Sequence, residues 1–359
     1  MMQIFSKTRT LTGLTLILSP LLSVLSADLP PSFWPPFFSS MILGLLPLRK
    51  LTNRLPFRFW LMLCGFLSTI GIYFITLQNP GTSVLPAPIL LGCSASGLLL
   101  ILPPWIAVGR YVSAAPFLGL AWSCSLLCSI FLQILTEFTP VSTPALAAIL
   151  TSVGFFCLSG RIPHSQLLEH PPHDFFSPSM VKAVVFFLCL LTSIGVCSVI
   201  SPAKSPASSE SGLIFSFFLA CGPLLSSWFA EKKGIYSSCI LTIFLTETSL
   251  LLTSSSENSA ALAAGGAILA LAAGSTAVII PMLTFYLCGR TGYIQGLLPL
   301  LLCIPVSLLF SWPFRVMADH GELVLQDAAV FLFFLLIMGF LCIFFAWKHR
   351  FIILKNKRI

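Results

Sequence analysis

Apolar residues run through this chain in long stretches, separated by short polar or proline-bearing segments. Twelve such stretches are read, roughly 10–26, 33–48, 58–78, 85–108, 113–134, 142–160, 181–201, 211–230, 236–253, 259–287, 293–313 and 325–347. Most hold 16–25 residues, the length at which an α-helix crosses roughly 30 Å of hydrocarbon. Barrel strands would be shorter, with alternating polarity. Lipid offers the backbone no hydrogen-bond partner, so a continuous apolar run satisfies its own groups as a helix. Proline and small polar residues mark the connections at Asn79-Pro80-Gly81, Thr139-Pro140, Ser201-Pro202 and Ser254 to Asn258. The pattern predicts an all-α, polytopic membrane protein.

Composition excludes a soluble enzyme. The 359 residues are 57% hydrophobic and 8% charged, with 32 phenylalanines, whereas soluble proteins carry about 25% charge. The net charge of +8 raises the question of a nucleic-acid partner, and the placement of the bases answers it. With a cytoplasmic N-terminus, the even connections and both ends hold Lys7, Arg9, Arg49, Lys50, Arg54, Arg58, Arg110, Arg161, Lys182, Lys232, Lys233, Arg290, Lys348, Arg350, Lys355, Lys357 and Arg358. Only Lys204 and Arg315 fall on the other side. A wrong span count would scramble this separation, which follows the positive-inside rule. The bases therefore serve membrane orientation and lipid headgroups, both termini are expected in the cytoplasm, and a plasma membrane, bacterial inner membrane included, is the expected location. Residues 1–27 also read as a cleavable signal peptide, with a basic start, an apolar stretch and small residues near Ser26-Ala27.

The chain repeats itself. Span two ends in Leu51-Thr52-Asn53-Arg54-Leu55-Pro56-Phe57-Arg58, and span eight in Phe229-Ala230-Glu231-Lys232-Lys233-Gly234. Asn53 and Glu231 are 178 positions apart, Gly109-Arg110 and Gly289-Arg290 are 180 apart, and Gly119 and Gly296 are 177 apart. Three landmarks at about half the chain length point to two pseudo-symmetric six-helix bundles. The expected organisation is an N-terminal bundle at 1–160, a polar cytoplasmic loop at 161–180, a C-terminal bundle at 181–347 and a basic cytoplasmic tail at 348–359.

Twelve spans in two sixes with a long middle loop, and a turn of the Ala230-Glu231-Lys232-Lys233-Gly234 type, resemble the major facilitator superfamily. That family carries a glycine-, acid- and base-bearing motif between helices two and three, echoed between eight and nine. The first copy departs from it: Asn53 stands where the acid belongs and Pro56 where glycine belongs. Gly44 and Gly222 lie too far ahead to be the motif's upstream glycine. Span four, around Leu90 to Gly97, has no internal arginine, and span five, around Pro116 to Gly119, lacks the double-glycine pattern of the family's drug/proton antiporters. The resemblance implies that Asn53, Arg54, Arg58, Glu231, Lys232 and Gly234 hold a gating state. Plain topology anchoring explains the same residues equally well.

The resemblance also implies that spans one, four, seven and ten line a central cavity. Their polar positions, Thr12, Thr15, Ser19, Ser94, Ser96, Thr192, Ser193, Ser275, Thr276 and Thr284, are then candidate liners, unless they bond to helix backbones. None of these spans has a charge near its middle, and a charged solute would need a buried countercharge. Small residues from Ala260 to Ala277 permit close helix packing, while Pro103-Pro104 and Pro281 can form hinges. Glu247 is the one acid deep in a predicted span and a candidate to carry a coupling proton.

Other chemistry finds little support. The twelve cysteines include no C-x-x-C pair, and Cys124 and Cys128 read as packing residues. His164, His170 and His173 in the middle loop fit no zinc spacing, and no phosphate loop or nucleophile elbow is present. No cofactor and no enzymatic activity are expected. The leading expectation is a secondary transporter of a small neutral or amphipathic organic solute, coupled to a proton or sodium ion. A membrane sensor or interaction module that kept the fold and lost transport is the alternative.

Overall fold

The computed structural model of the protein describes residues 11–12, 15–22, 33–52, 57–76, 86–108, 114–138, 146, 149–154, 178–204, 209–255, 258–319 and 325–356. The chain divides into two compact units, Met1–His170 and Pro171–Ile359. The division falls inside the stretch expected to be the middle loop, whose histidines lie outside the described residues.

The first unit contains α1 (Trp34–Thr52), α2 (Phe57–Thr76), α3 (Pro86–Val108) and α4 (Ala114–Phe138). Residues 15–22 and 149–154 are also helical, at the places of spans one and six. The second unit contains α5 (Pro178–Lys204), α6 (Ser209–Lys233), α7 (Ile235–Ser255), α8 (Ser259–Asp319) and α9 (Leu325–Asn356). Among the described residues, seven helical stretches are long and apolar enough to cross a membrane, and six of them lie in the second unit. The chain is thus a multi-pass membrane protein.

Three expected boundaries move. Helical hydrogen bonding continues through Ser201-Pro202 to Lys204, and α9 runs on through the expected tail to Asn356. The third shift is larger. Spans ten and eleven, expected to part at Gly289-Arg290, share one 61-residue helical assignment, α8. This helix is not straight. A Cβ placed on Gly296 would collide with Sγ of Cys288 and lie 3.2 Å from Thr284 Cγ2. In a straight helix, positions 284 and 296 would be about 18 Å apart. The Phe285 and Tyr293 rings also approach to 6.4 Å. The chain therefore folds back between Cys288 and Gly296, and α8 is a two-armed hairpin whose arms abut with no separate loop assigned between them.

Contacts within the second unit give the direction of each arm. Cys303 Sγ meets the Val184 carbonyl at 3.6 Å, and Ser311 packs on Gly195, so α5 and the second arm of α8 run parallel. Gly339 of α9 faces Phe186 and Cys189, whereas Ala328 and Leu332 join Val196 and Cys197 in one apolar cluster, so α9 runs antiparallel to α5. These directions match the up–down order expected for spans seven, ten, eleven and twelve.

Glycine governs how closely these helices cross. In the first unit α1 crosses α3 at Gly44 and Gly92. A Cβ on Gly44 would lie 2.8 Å from Ser96 Oγ and 3.7 Å from Cys93 Cα, and one on Gly92 would meet the Phe37 carbonyl. In the second unit α6 crosses the first arm of α8 at Gly222 and Gly274. A Cβ on Gly222 would meet the Leu271 carbonyl, 3.0 Å from Gly274 C and 2.9 Å from Ser275 N. Residues 44, 93 and 96 thus recur as 222, 271 and 274, each 178 positions on. A second pair of helices repeats at the same offset. A Cβ on Gly71 of α2 would lie 3.4 Å from the Ala87 carbonyl of α3, and Ser249 of α7 donates to the Gly265 carbonyl of α8 at 2.8 Å. The internal repeat is therefore one of packing register as well as sequence.

These crossings predict a graded series. Gly222→Val and Gly274→Val push a side chain into a facing backbone, and each should lower stability by at least the roughly 1–3 kcal/mol of ordinary overpacking. Gly339→Ala, whose nearest neighbour would be at 3.5 Å, should be nearly neutral. Melting of the purified protein in detergent measures all three. Equal melting temperatures across the series would refute the crossing geometry.

Candidate functional site

The candidate gating turn in the second unit is built on one glycine. Gly234 alone separates α6 from α7, with φ at +91°, in the left-handed region that β-carbon-bearing residues avoid. Its N–H donates to the Ala230 carbonyl at 3.1 Å, and its own carbonyl accepts from Ser238 N–H at 3.3 Å. This is the left-handed cap that ends a helix at C′. Glu231, Lys232 and Lys233 are exposed in the last turn of α6, where bases suit the negative end of the helix dipole. Lys232 does not close on its acidic neighbour: its Nζ stands 4.7 Å from the centroid of the Trp228 ring, a cation–π contact. Asn53 and Arg54 of the first copy lie outside the described residues, as does the side chain of Arg58.

The loop repeat is partly legible. Gly109 and Arg110 lie outside the described residues. The backbone of Gly289 and Arg290 is helical and sits where α8 reverses, so this dipeptide marks a turn without a loop. Nearby, Tyr236 and Tyr286 pack edge-on at 5.5 Å.

The candidate cavity liners have another use. Ser94 Oγ donates to the Cys64 carbonyl at 2.7 Å and pairs with Ser68 Oγ at 2.6 Å, tying α3 to α2. Ser275 donates to the Gly222 carbonyl at 3.1 Å, at the α6–α8 crossing. Ser96, Ser193, Thr276 and Thr284 donate to carbonyls three or four residues back in their own helices. Ser94, Ser96, Ser193, Ser275 and Thr284 are fully buried. Thr192 and Ser19 are buried and Thr15 is half-buried. In hydrocarbon a hydroxyl readily takes a nearby carbonyl lone pair, whereas Ser19 Oγ is buried with no partner among the described residues.

A feature the sequence reading missed is the inner face of α7. Ser238, Thr242, Thr246, Ser249 and Thr253 are all buried and recur at helical spacing over about 22 Å. Thr242, Thr246 and Thr253 donate along their own helix, while Ser238 reaches the Ser226 carbonyl of α6 and Ser249 the Gly265 carbonyl of α8. The 3–4-residue recurrence of Ser and Thr was the available signal. Glu247 is not on this face. It is half-buried, and its flanking residues Phe244 and Leu251 are exposed.

No family model matches the sequence, and no curated protein matches it. Solved structures do match in fold. The human organic anion transporter MFSD10 (TETRAN) aligns with a TM-score of 0.73 at 13% identity, over 94% of this chain and 99% of that one. The major facilitator superfamily transporter FucP, in the outward conformation, aligns with a TM-score of 0.69 at 12% identity, over 95% and 98%. The proton:xylose symporter XylE, bound to 6-bromo-6-deoxy-D-glucose, aligns with a TM-score of 0.64 at 13% identity, over 96% and 95%. The chain has the major facilitator fold along nearly its whole length.

The cap at Gly234 carries its own prediction. Nothing lies within 4 Å of a Cβ placed there, so Gly234→Ala tests backbone strain without steric conflict. It should destabilise the protein by about 1–2 kcal/mol. A shift no larger than that of a surface substitution would show that the turn tolerates another conformation.

Proposed function

We propose that this protein is a secondary transporter that moves a small neutral or amphipathic organic solute across the membrane by alternating access. The observation that carries the reading is the match of both units, end to end, to solved transporters of the major facilitator fold. In such architectures two repeats rock around a site near the midplane. The matched proteins include an organic anion transporter, a fucose:proton symporter and a proton:xylose symporter, which favours transport over a sensor role.

The solute class follows from charge. Residues 10–26, 86–108 and 259–288 contain no Asp, Glu, Lys or Arg, and α5 has none between Lys182 and Lys204. The helices that the resemblance assigns to the cavity thus carry no Asp, Glu, Lys or Arg near their middles. An ionised solute would need a countercharge that these segments lack. A proton or sodium gradient is the proposed energy source. The Glu231–Gly234 turn is the proposed gating element of the second unit. The proposed location is a plasma membrane, with both termini in the cytoplasm.

A thermal-shift screen of the purified protein against neutral metabolites and amphipathic drugs tests the reading first. A ligand at 100 times its dissociation constant should stabilise the fold by about 2.7 kcal/mol. The hits should then flow into protein-loaded liposomes faster than into empty ones, and faster under an imposed proton or sodium gradient. Glu231→Gln should slow that flux several-fold with little change in melting temperature. Binding without flux under every gradient would remove the transporter reading.

A further inference from the structure

Glu247 lies well inside α7, twelve residues after Ile235 and eight before Ser255, which places it about 12 Å from the helix's C-terminal end. Residues three and four apart share a helix face. At these spacings Glu247 has two buried neighbours, Ile243 and Leu250, and two exposed ones, Phe244 at 57% and Leu251 at 64%. Leu250 belongs to the apolar cluster with Val196, Leu269 and Leu332. The carboxyl group therefore stands on the seam where the packed side of α7 gives way to its bilayer-facing side.

Among the described residues, nothing answers this group. The flanking Thr246 and Thr248 hydroxyls donate to the Thr242 and Phe244 carbonyls, and no described side chain donates to the carboxyl. Lys232 and Lys233 end α6, Lys182 lies in the first turns of α5, and Arg315 lies near the end of α8. None of these bases sits at mid-span. An acid at this depth is expensive in lipid and normally has a partner.

We propose that this seam is a docking surface for the transmembrane helix of another protein, one that carries a lysine or arginine near its own midpoint. Phe244 and Leu251 offer it an apolar bed, and Glu247 fixes its depth and register. A second copy of this chain fits less well, because it would bring another Glu247 and no base to the same depth.

The test uses the full-length protein in lipid nanodiscs and two fluorescent synthetic helices, polyleucine with one central lysine and polyleucine alone. Energy transfer from a donor at the protein's C-terminus reports binding. The lysine helix should bind about tenfold more tightly than the plain one, the scale of one interhelical polar contact. Glu247→Leu should abolish the preference, Glu247→Gln should reduce it, and Glu247→Asp should restore part of it. Unchanged gel-filtration profiles and melting curves exclude misfolding as the cause. Equal binding of the two helices, or a preference that survives Glu247→Leu, would overturn the proposal. So would a dimer of the protein that Glu247→Gln dissolves, or displacement of the lysine helix by a single-chain lipophilic amine at the same concentration, since either names a different occupant.

Discussion

In hydrocarbon there is no water to take up an unpaired polar group, and this constraint organises the fold. It makes each span a helix that satisfies its own backbone, and it removes the hydrophobic driving force between helices, since lipid tails are as apolar as leucine. What is left to hold helices together is close contact and the few polar bonds that can form across them. Both appear at the same places. Gly222 brings the backbone of α6 onto α8, and Ser275 closes the crossing with a 3.1 Å bond to the Gly222 carbonyl. Gly92 brings α3 onto α1, and the Cys93 thiol beside it meets the Ser40 carbonyl at 3.9 Å. The small residue makes the approach possible and the polar group fixes the register.

Two helix pairs show that this arrangement is duplicated. The Gly44 and Gly222 crossings, and the contacts of residue 71 with 87 and of 249 with 265, share one offset of 178 positions. The chemistry of the second pair has changed, from a glycine under a carbonyl to a serine bonded to one, while the register has stayed. Packing geometry, set by backbone approach, persists where the side chains that decorate it differ.

The span pattern was readable because the bilayer imposes a length and a composition on every crossing segment, and the base count supplied an independent check on direction. Destinations were not readable. Gly44 and Gly222 looked like glycines misplaced from a loop motif, since a sequence does not say which helix lies opposite a glycine. Spacing shows that Ser94 and Ser275 are polar, but not that Cys64 and Gly222 present carbonyls to them. The reversal of α8 was hidden in the opposite way: Gly289-Arg290 was read as a connection between spans, and the chain does turn there, but helical residues run up to the turn from both sides.

The fate of the hydroxyls bears on what the membrane interior of this protein can do. Ser94, Ser193, Ser275 and Thr284, and the whole ladder from Ser238 to Thr253, are committed to carbonyls. Each of these groups has already given its proton, and in low dielectric an unmade bond is costly, so what it keeps to offer is its acceptor lone pairs. By the same reasoning the carboxyl of Glu247 stands apart. It is a strong polar group in the described interior that no internal bond has absorbed, on a seam that faces outward, and its natural counterpart lies outside the chain.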